Sequence, residues 1–413
     1  MFRKFAVRDL RPGMYIADTA GSALDSPFMY STEGLINTDE EIKEIAEQGF
    51  MEAVVDLKQS NKEWAALYGG STKELLASVI DAEAPTSGPP LPQKNPLEPQ
   101  VELKEELPRA ATLYTHALKT TQRILQDFKN TGELDVKAGS IVVKGIVSSV
   151  LRNANALQAI SKLRSQDDYT FSHCVNVSML TSMFCRHLGH SDDSVFDAGM
   201  GGFFHDLGKA QMPAKLLTAA RRLTSEEFAT MRGHPRIGYD YLIKVSDLPE
   251  TVRLAALEHH ERIDGTGYPD AKHGEDISML GKIVSIVDVY DALSSRRVYK
   301  DAILPHRVLG LLYGMRAHDL DAELTEQFIR CMSIYPAGSI VKLSTGEIAT
   351  VTQISHTTPL QPKVLIVRDA HTVPITPYEL DLVAAKDISI AACLEHGAFG
   401  VYPERVLKIA TTP

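Results

Sequence analysis

Apolar residues recur at helical spacing through most of the middle of this chain. RAATLYTHALKTTQRILQDF (109–128) and IVVKGIVSSVLRNANALQAI (141–160) repeat them every third or fourth position, which lines them along one helix face. LTSEEFATM opens with Thr224 and Glu227 at capping-box spacing, and Pro305 marks the first turn of another helix. From about 109 to 335 the pattern is almost wholly helical. On either side the texture changes. VRDLRPGMYIA (7–17) and EAVVDL (52–57) read as strands, and TDEEIKEIAEQGF between them reads as an amphipathic helix capped by Thr38 and stopped at Gly49. After Pro336, GSIVKLSTGEIATVTQI places β-branched residues on both sides of a Ser-Thr-Gly turn, and KVLIVRD adds a third strand, so a small sheet or barrel is predicted. Residues 84–108 hold seven prolines and few large apolar residues. Proline fixes φ and removes a donor, so this stretch reads as an extended linker. The expected order is a small α+β module over 1–83, a proline-rich linker over 84–108, a helical domain over 109–335 and a small β-rich domain over 336–413.

Composition narrows the function classes. A chain of 413 residues with 44% apolar content has ample material for more than one core. Its net charge of −10 argues against a DNA or RNA groove, which needs a clustered basic surface. No apolar run reaches the roughly 18 residues of a membrane span, and the start, MFRKFAVRDL, lacks a signal-peptide hydrophobic region. Cys174, Cys185, Cys331 and Cys393 show no C-x-x-C spacing. Free thiols in a reducing cytoplasm are the expectation.

The chemistry lies in the histidines. His116, His187, His190, His306, His318, His356, His371 and His396 read as structural or surface residues, since a lone histidine in a helix is more often that than a ligand. Five others stand in apolar helices or at their ends: His173 in DDYTFSHCVNV, His205 in FFHDLGK, His234 in MRGHPRIGYD, and His259 and His260 in EHHERIDGTGYPD. Asp206 and Asp288 sit in the same kind of surroundings. Burying such groups unpaired is costly, and a shared metal site resolves the cost. Histidine with carboxylate and no thiolate suits iron, manganese or zinc. A carboxylate beside a histidine can bridge two ions, and two ions about 3.5–4 Å apart are the usual arrangement of phosphoesterases. Lys209 follows Asp206 by one helical turn, and its charge fits a phosphate oxygen.

H-D-x-G-K at 205–209, followed by H-H-E-x-x-D-G-x-G-Y-P at 259–269, resembles the HD-GYP family of cyclic di-GMP phosphodiesterases, a subset of the HD-domain metal phosphohydrolases. The likeness covers roughly 165–330, where DYTFSH, MPAKLL, LTSEEF and DVYDAL stand in family order. It implies a multidomain, mainly α protein with an HD-type helical bundle core, a small α+β N-terminal domain and a small β-rich C-terminal tail. It implies His173, His205, Asp206, His234, His259, His260 and Asp288 as ligands of two divalent metal ions, iron or manganese first, with Asp206 as the bridge. Asp206 and Lys209 would be catalytic. Lys209, Arg297, Lys300, Tyr268, Gly265 and Gly267 would line the substrate site, and Val298 departs from a usual proline. Some members bind a third ion through a carboxylate one turn before the first histidine. Here that position is Tyr169, with Asp168 one residue off, so two ions are expected.

The implied reaction is hydrolysis of cyclic di-GMP to pGpG, with GMP as a further product left open, by metal-activated hydroxide. Two other readings stay open: a hydrolase of a different cyclic dinucleotide, and a nucleotide-sensing or docking module that engages a diguanylate cyclase or another signalling protein through the GYP loop. VRDLRPGMYIA, SPF and VVDL resemble a domain of unknown function often found before HD-GYP domains, for which a regulatory surface and a structural cap both fit.

Overall fold

The computed structural model describes residues 2–17, 29–48, 50–57, 59–62, 76, 79, 96–161, 169–219, 221, 223–295, 303–316, 318–355, 358–403 and 405–407. The chain forms two compact units, each made of two stretches: Met1–Ser78 with His205–Glu326, and Val79–Phe204 with Gln327–Pro413.

In the first unit a five-stranded sheet gathers β1 (Phe2–Ala6), β2 (Tyr15–Ile16), β3 (Met29–Tyr30), β4 (Gly34–Leu35) and β5 (Glu52–Asp56). Its order is β1-β5-β2-β4, with β3 pairing in parallel along part of β5. The inner strand β5 is apolar on both faces, and Ala53, Val54 and Val55 are buried. Leu10, Met14, Ile16, Ile36 and Ile45 close the core below it. The helix α1 (Asp39–Glu47) starts as its sequence predicts, with Thr38 Oγ1 accepting from Glu41 N at 3.2 Å. Gly49, the expected stop, lies outside the described residues. VRDLRPGMYIA is not one strand. Val7–Asp9 is a 3₁₀ turn and only Tyr15–Ile16 joins the sheet, because Pro12 cannot donate to a ladder and Gly13 turns the chain at φ 89°.

The rest of this unit is helical: α6 (Ala214–Leu217), α7 (Ser225–Met231), α8 (His234–Leu242), α9 (Glu250–Glu258), α10 (Met279–Ser294) and α11 (Pro305–Met315). The capping box of α7 is present, and α11 begins at Pro305. The helix α10 is buried on nearly every side, which its continuous apolar run anticipates. β1 packs on α11.

The second unit holds α2 (Leu103–Thr131), α3 (Val136–Ser161), α4 (Tyr169–His187) and α5 (Asp192–Phe204), with α12 (Ala322–Met332) entering it after Glu326. Helix begins inside the stretch expected to be linker. Residues 103–108 form the start of α2, and Pro108 lies within it. Burial outweighs the missing donor: Glu106 is fully buried, takes Arg152 Nε and Nη2 at 2.7 Å each, and accepts from Ser149 Oγ at 2.7 Å. The helix α3 breaks at Asn153, whose side chain accepts from Asn155 N and donates to Val101 O, competing with the helical ladder. Just beyond the break, Asn155 Oδ1 accepts from Ile354 N and Gln158 Oε1 from Ala337 N, stitching the helix to the C-terminal sheet.

That sheet has five antiparallel strands in the order β10-β6-β7-β8-β9: β6 (Ile340–Leu343), β7 (Ile348–Gln353), β8 (Lys363–Arg368), β9 (Pro374–Asp381) and β10 (Ile390–Leu394). The three central strands carry the apolar pattern. β9 and β10 were not predicted because they are edges, and two prolines in PITPYELD are tolerated only there. Glu106→Gln removes the charge that Arg152 and Ser149 meet, so the unfolding transition of the second unit is expected at lower denaturant, by about 1–3 kcal/mol. Equilibrium urea denaturation followed by circular dichroism checks this.

Candidate metal centre

Asp206 ends the turn after α5 and precedes a 3₁₀ segment, Leu207–Gln211. Gly208 lets that segment press on the start of α8, where a Cβ would lie 2.0 Å from His234 O. His234 is therefore set directly beside Asp206. The end of α9 delivers His259 and His260, and the middle of α10 delivers Asp288.

The two oxygens of Asp206 face different groups. Oδ1 lies 3.2 Å from His234 Nε2 and 3.5 Å from His259 Nε2, and those two nitrogens are 3.3 Å apart. Oδ2 lies 2.6 Å from Lys209 Nζ and 3.5 Å from His205 Nε2. Asp288 sits 3.9 Å from His205 Nε2 through Oδ1 and 3.9 Å from His260 Nδ1 through Oδ2. One donor atom from each of Asp206, His234, His259 and His260 lies within 4.8 Å of the others.

The tautomers decide what this arrangement can hold. His234 Nδ1 is 2.8 Å from Met231 O, and His259 Nδ1 is 3.0 Å from Ala256 O. A carbonyl only accepts, so each Nδ1 carries a proton, and in the neutral ring Nε2 is left to present its lone pair. Two Nε2 atoms and a carboxylate oxygen thus converge. Burial, against the hydrogen-bonding pull of Asp206, drops the His234 imidazole to about 4. Burial, with His259 and His234 beside it, also holds the His260 imidazole down. Burial alone would raise the Asp206 carboxyl, but Lys209 and the surrounding histidines hold it well below the usual carboxylate range. The donors fit a divalent metal. Ligands about 2.1 Å from one ion stand roughly 3.0–3.4 Å apart, close to the spacings here.

The signature loop folds against this cluster. Gly267 passes so near Glu261 and Arg262 that a Cβ would lie 2.3 Å from Arg262 N, and Gly265 takes φ 79° against the His273 ring. The Tyr268–Pro269 peptide is cis. Tyr268 N donates to His260 O at 3.2 Å, and its ring lies 4.7 Å from the His260 ring at 30°. Arg232 stands 4.9 Å from the centre of that ring.

Six of the seven expected ligands and Lys209 therefore meet in one unit. His173 is buried on α4, in the other unit. Arg297, Lys300 and Asp168 lie outside the described residues, as does the side chain of Tyr169. Sequence reasoning passed over the groups that hold the loop. Glu261 is buried and accepts from Asp270 N at 2.8 Å and Lys272 N at 3.0 Å. Glu258 is buried, meets Lys272 Nζ at 2.6 Å and accepts from Ser278 N at 2.9 Å. Their signal was two glutamates flanking the histidine pair.

An HD domain family model matches residues 146–324, a domain of unknown function (DUF3391) matches 2–138, and a KOW domain associated with HD domain matches 340–399. A cyclic di-GMP phosphodiesterase of Pseudomonas aeruginosa is 31% identical over 383 residues, covering 92% of this chain and 89% of that one. The chain belongs to the HD-GYP family. Another relative, the cyclic di-GMP phosphodiesterase response regulator RpfG of Xanthomonas campestris, is 36% identical over 166 residues, 40% of this chain and 44% of that protein. A 3'3'-cGAMP-specific phosphodiesterase of Vibrio cholerae is 27% identical over 172 residues, 42% of this chain and 37% of its own length. The four cysteines of the chain are free, and its described helices include none long and apolar enough to cross a membrane.

The depressed His234 imidazole gives a pH dependence. Between about 6.5 and 4 the unfolded chain binds a proton that the folded, metal-free chain does not, so stability is full above 6.5 and falls as pH drops toward 4. The expected loss is on the order of 3 kcal/mol for this group. Denaturation of chelator-treated protein across that range should show it, and His234→Gln should flatten the slope.

Proposed function

We propose that this HD-GYP protein hydrolyses cyclic di-GMP to pGpG at a centre of two divalent metal ions. The observation that carries the reading is the convergence of His234 Nε2, His259 Nε2 and Asp206 Oδ1 within 3.2–3.5 Å of one another. His234 and His259 would hold one ion with Oδ1 of Asp206. His205, Asp288 and Oδ2 of Asp206 would hold the other, His260 lying between the two sets. The expectation that His173 is also a ligand rests on its burial in an apolar helix and on the resemblance. Iron or manganese suits this donor set.

Bound there, two such ions would supply an activated water and positive charge for the attacking and departing oxygens. The chain's own residues do the rest. Lys209 now pairs with Oδ2 of Asp206 and its side chain is 29% exposed, so it can turn toward a phosphoryl oxygen once Oδ2 is engaged. Arg297 and Lys300 would add positive charge to the substrate site. Tyr268, held against His260 by the glycine-rich loop, gives a flat apolar face that a guanine base can stack on, with Gly265 and Gly267 allowing close approach. The same loop is where a diguanylate cyclase or another signalling protein would dock. The stretch 109–335 would carry the catalysis in the cytoplasm, with 1–83 and 336–413 as flanking modules.

Asp206→Ala removes the one carboxylate addressing both sets of donors, so metal content and turnover should fall together. Lys209→Ala should keep its metal and lose rate by about 10²–10³, the usual effect of deleting one preorganised donor. Metal analysis with steady-state assays on cyclic di-GMP and 3'3'-cGAMP separates these outcomes. Full metal and normal turnover in Asp206→Ala would contradict the assignment, and faster turnover of 3'3'-cGAMP would move the substrate to the other cyclic dinucleotide.

A further inference from the structure

The N-terminal sheet reaches the scaffold of the metal centre through one ion pair. Lys4, on β1, pairs with Asp319, in the turn between α11 and α12, and lies 3.1 Å from Glu52. Asp319 is buried. The same Oδ1 lies 4.0 Å from Arg262 Nε, while Oδ2 has no hydrogen-bond partner among the described residues. Arg262 follows His260 by two residues. Its Nη1 donates to Ser285 Oγ at 2.9 Å, and Ser285 stands on α10 one turn before Asp288. The backbone repeats the link: Ile263 N donates to Asp319 O at 3.2 Å and Asp264 N to His318 O at 3.0 Å. One short turn therefore holds the first strand of the chain on one side and the segment after the histidine pair on the other.

A buried carboxylate shared by two cations keeps its place only while its charge is met. Without Lys4, Asp319 has one cation left, 4.0 Å away, and an unpartnered oxygen to offer it. Arg262 then moves toward Asp319 and away from Ser285, carrying Glu261 and His260 with it. We propose that the N-terminal sheet is a positioning element for the metal centre, acting through the Lys4–Asp319–Arg262 bridge. A ligand or protein that displaces β1 would alter the site by this route. The catalytic consequence rests on the function proposed above, whereas the mechanical link is measurable without it.

The test compares the full chain with Lys4→Met, Lys4→Arg and Asp319→Asn by amide hydrogen exchange and by turnover of cyclic di-GMP. In Lys4→Met and Asp319→Asn the amides of Ile263 and Asp264 should exchange about tenfold faster, since exchange reports local opening, while those of α9 stay protected. The value of kcat should fall several-fold with KM unchanged, and Lys4→Arg, which keeps a cation, should restore both. Unchanged exchange at Ile263 and Asp264 in both variants would overturn the bridge, whether or not the protein turns over any substrate. Faster exchange with kcat unchanged would overturn the positioning role, and so would a loss that Lys4→Arg fails to rescue.

Discussion

The rest of the site depends on the burial of one carboxylate. Asp206 has lost nearly all its water, yet it stays ionised because positive or polarisable groups meet it on every side. Each of those groups costs the fold something. Gly208 must lack a side chain so that α8 can begin against the 3₁₀ segment, and His234 and His259 must spend their Nδ1 protons on nearby carbonyls. The result is a buried cluster of imidazole nitrogens and carboxylate oxygens that fits a cation. Buried polar groups are tolerated when partnered, and a divalent ion would partner these.

Much of this was legible in the sequence. Helical spacing located the bundle, and Thr38, Thr224 and Pro305 marked helix starts that the structure keeps. His205, Asp206, His234, His259, His260 and Asp288 were conspicuous as polar groups in apolar helices, and the fold brings them together. Other features were hidden for physical reasons. The proline at 108 read as a breaker because the burial of Glu106 against Arg152, a contact 46 residues away, has no local signal. β9 and β10 lack the apolar alternation of central strands because edges face water. Glu258, Glu261 and Arg262 do not stand out in the sequence because only the folded loop turns them inward.

The loop and the N-terminal sheet share a logic. Neither supplies ligands from its own glycines or strands, but both act on the segment from Glu258 to Asp264. Glu261 fixes the loop from one side by two backbone donors, and Asp319 fixes the same segment from the other. His260 lies between these anchors, and Tyr268 rests on its ring. On the proposed coupling, a small displacement of either anchor would reach His260 without disturbing the helices that carry the other candidate donors.

The most direct measurement is anaerobic purification followed by metal analysis and a cyclic di-GMP turnover assay on the same sample. The account predicts about two ions of iron or manganese per chain, pGpG as the first product, and loss of turnover in proportion to metal removed by chelation. Full turnover by metal-free protein, or a fully metallated protein that binds cyclic di-GMP and leaves it intact, would contradict it.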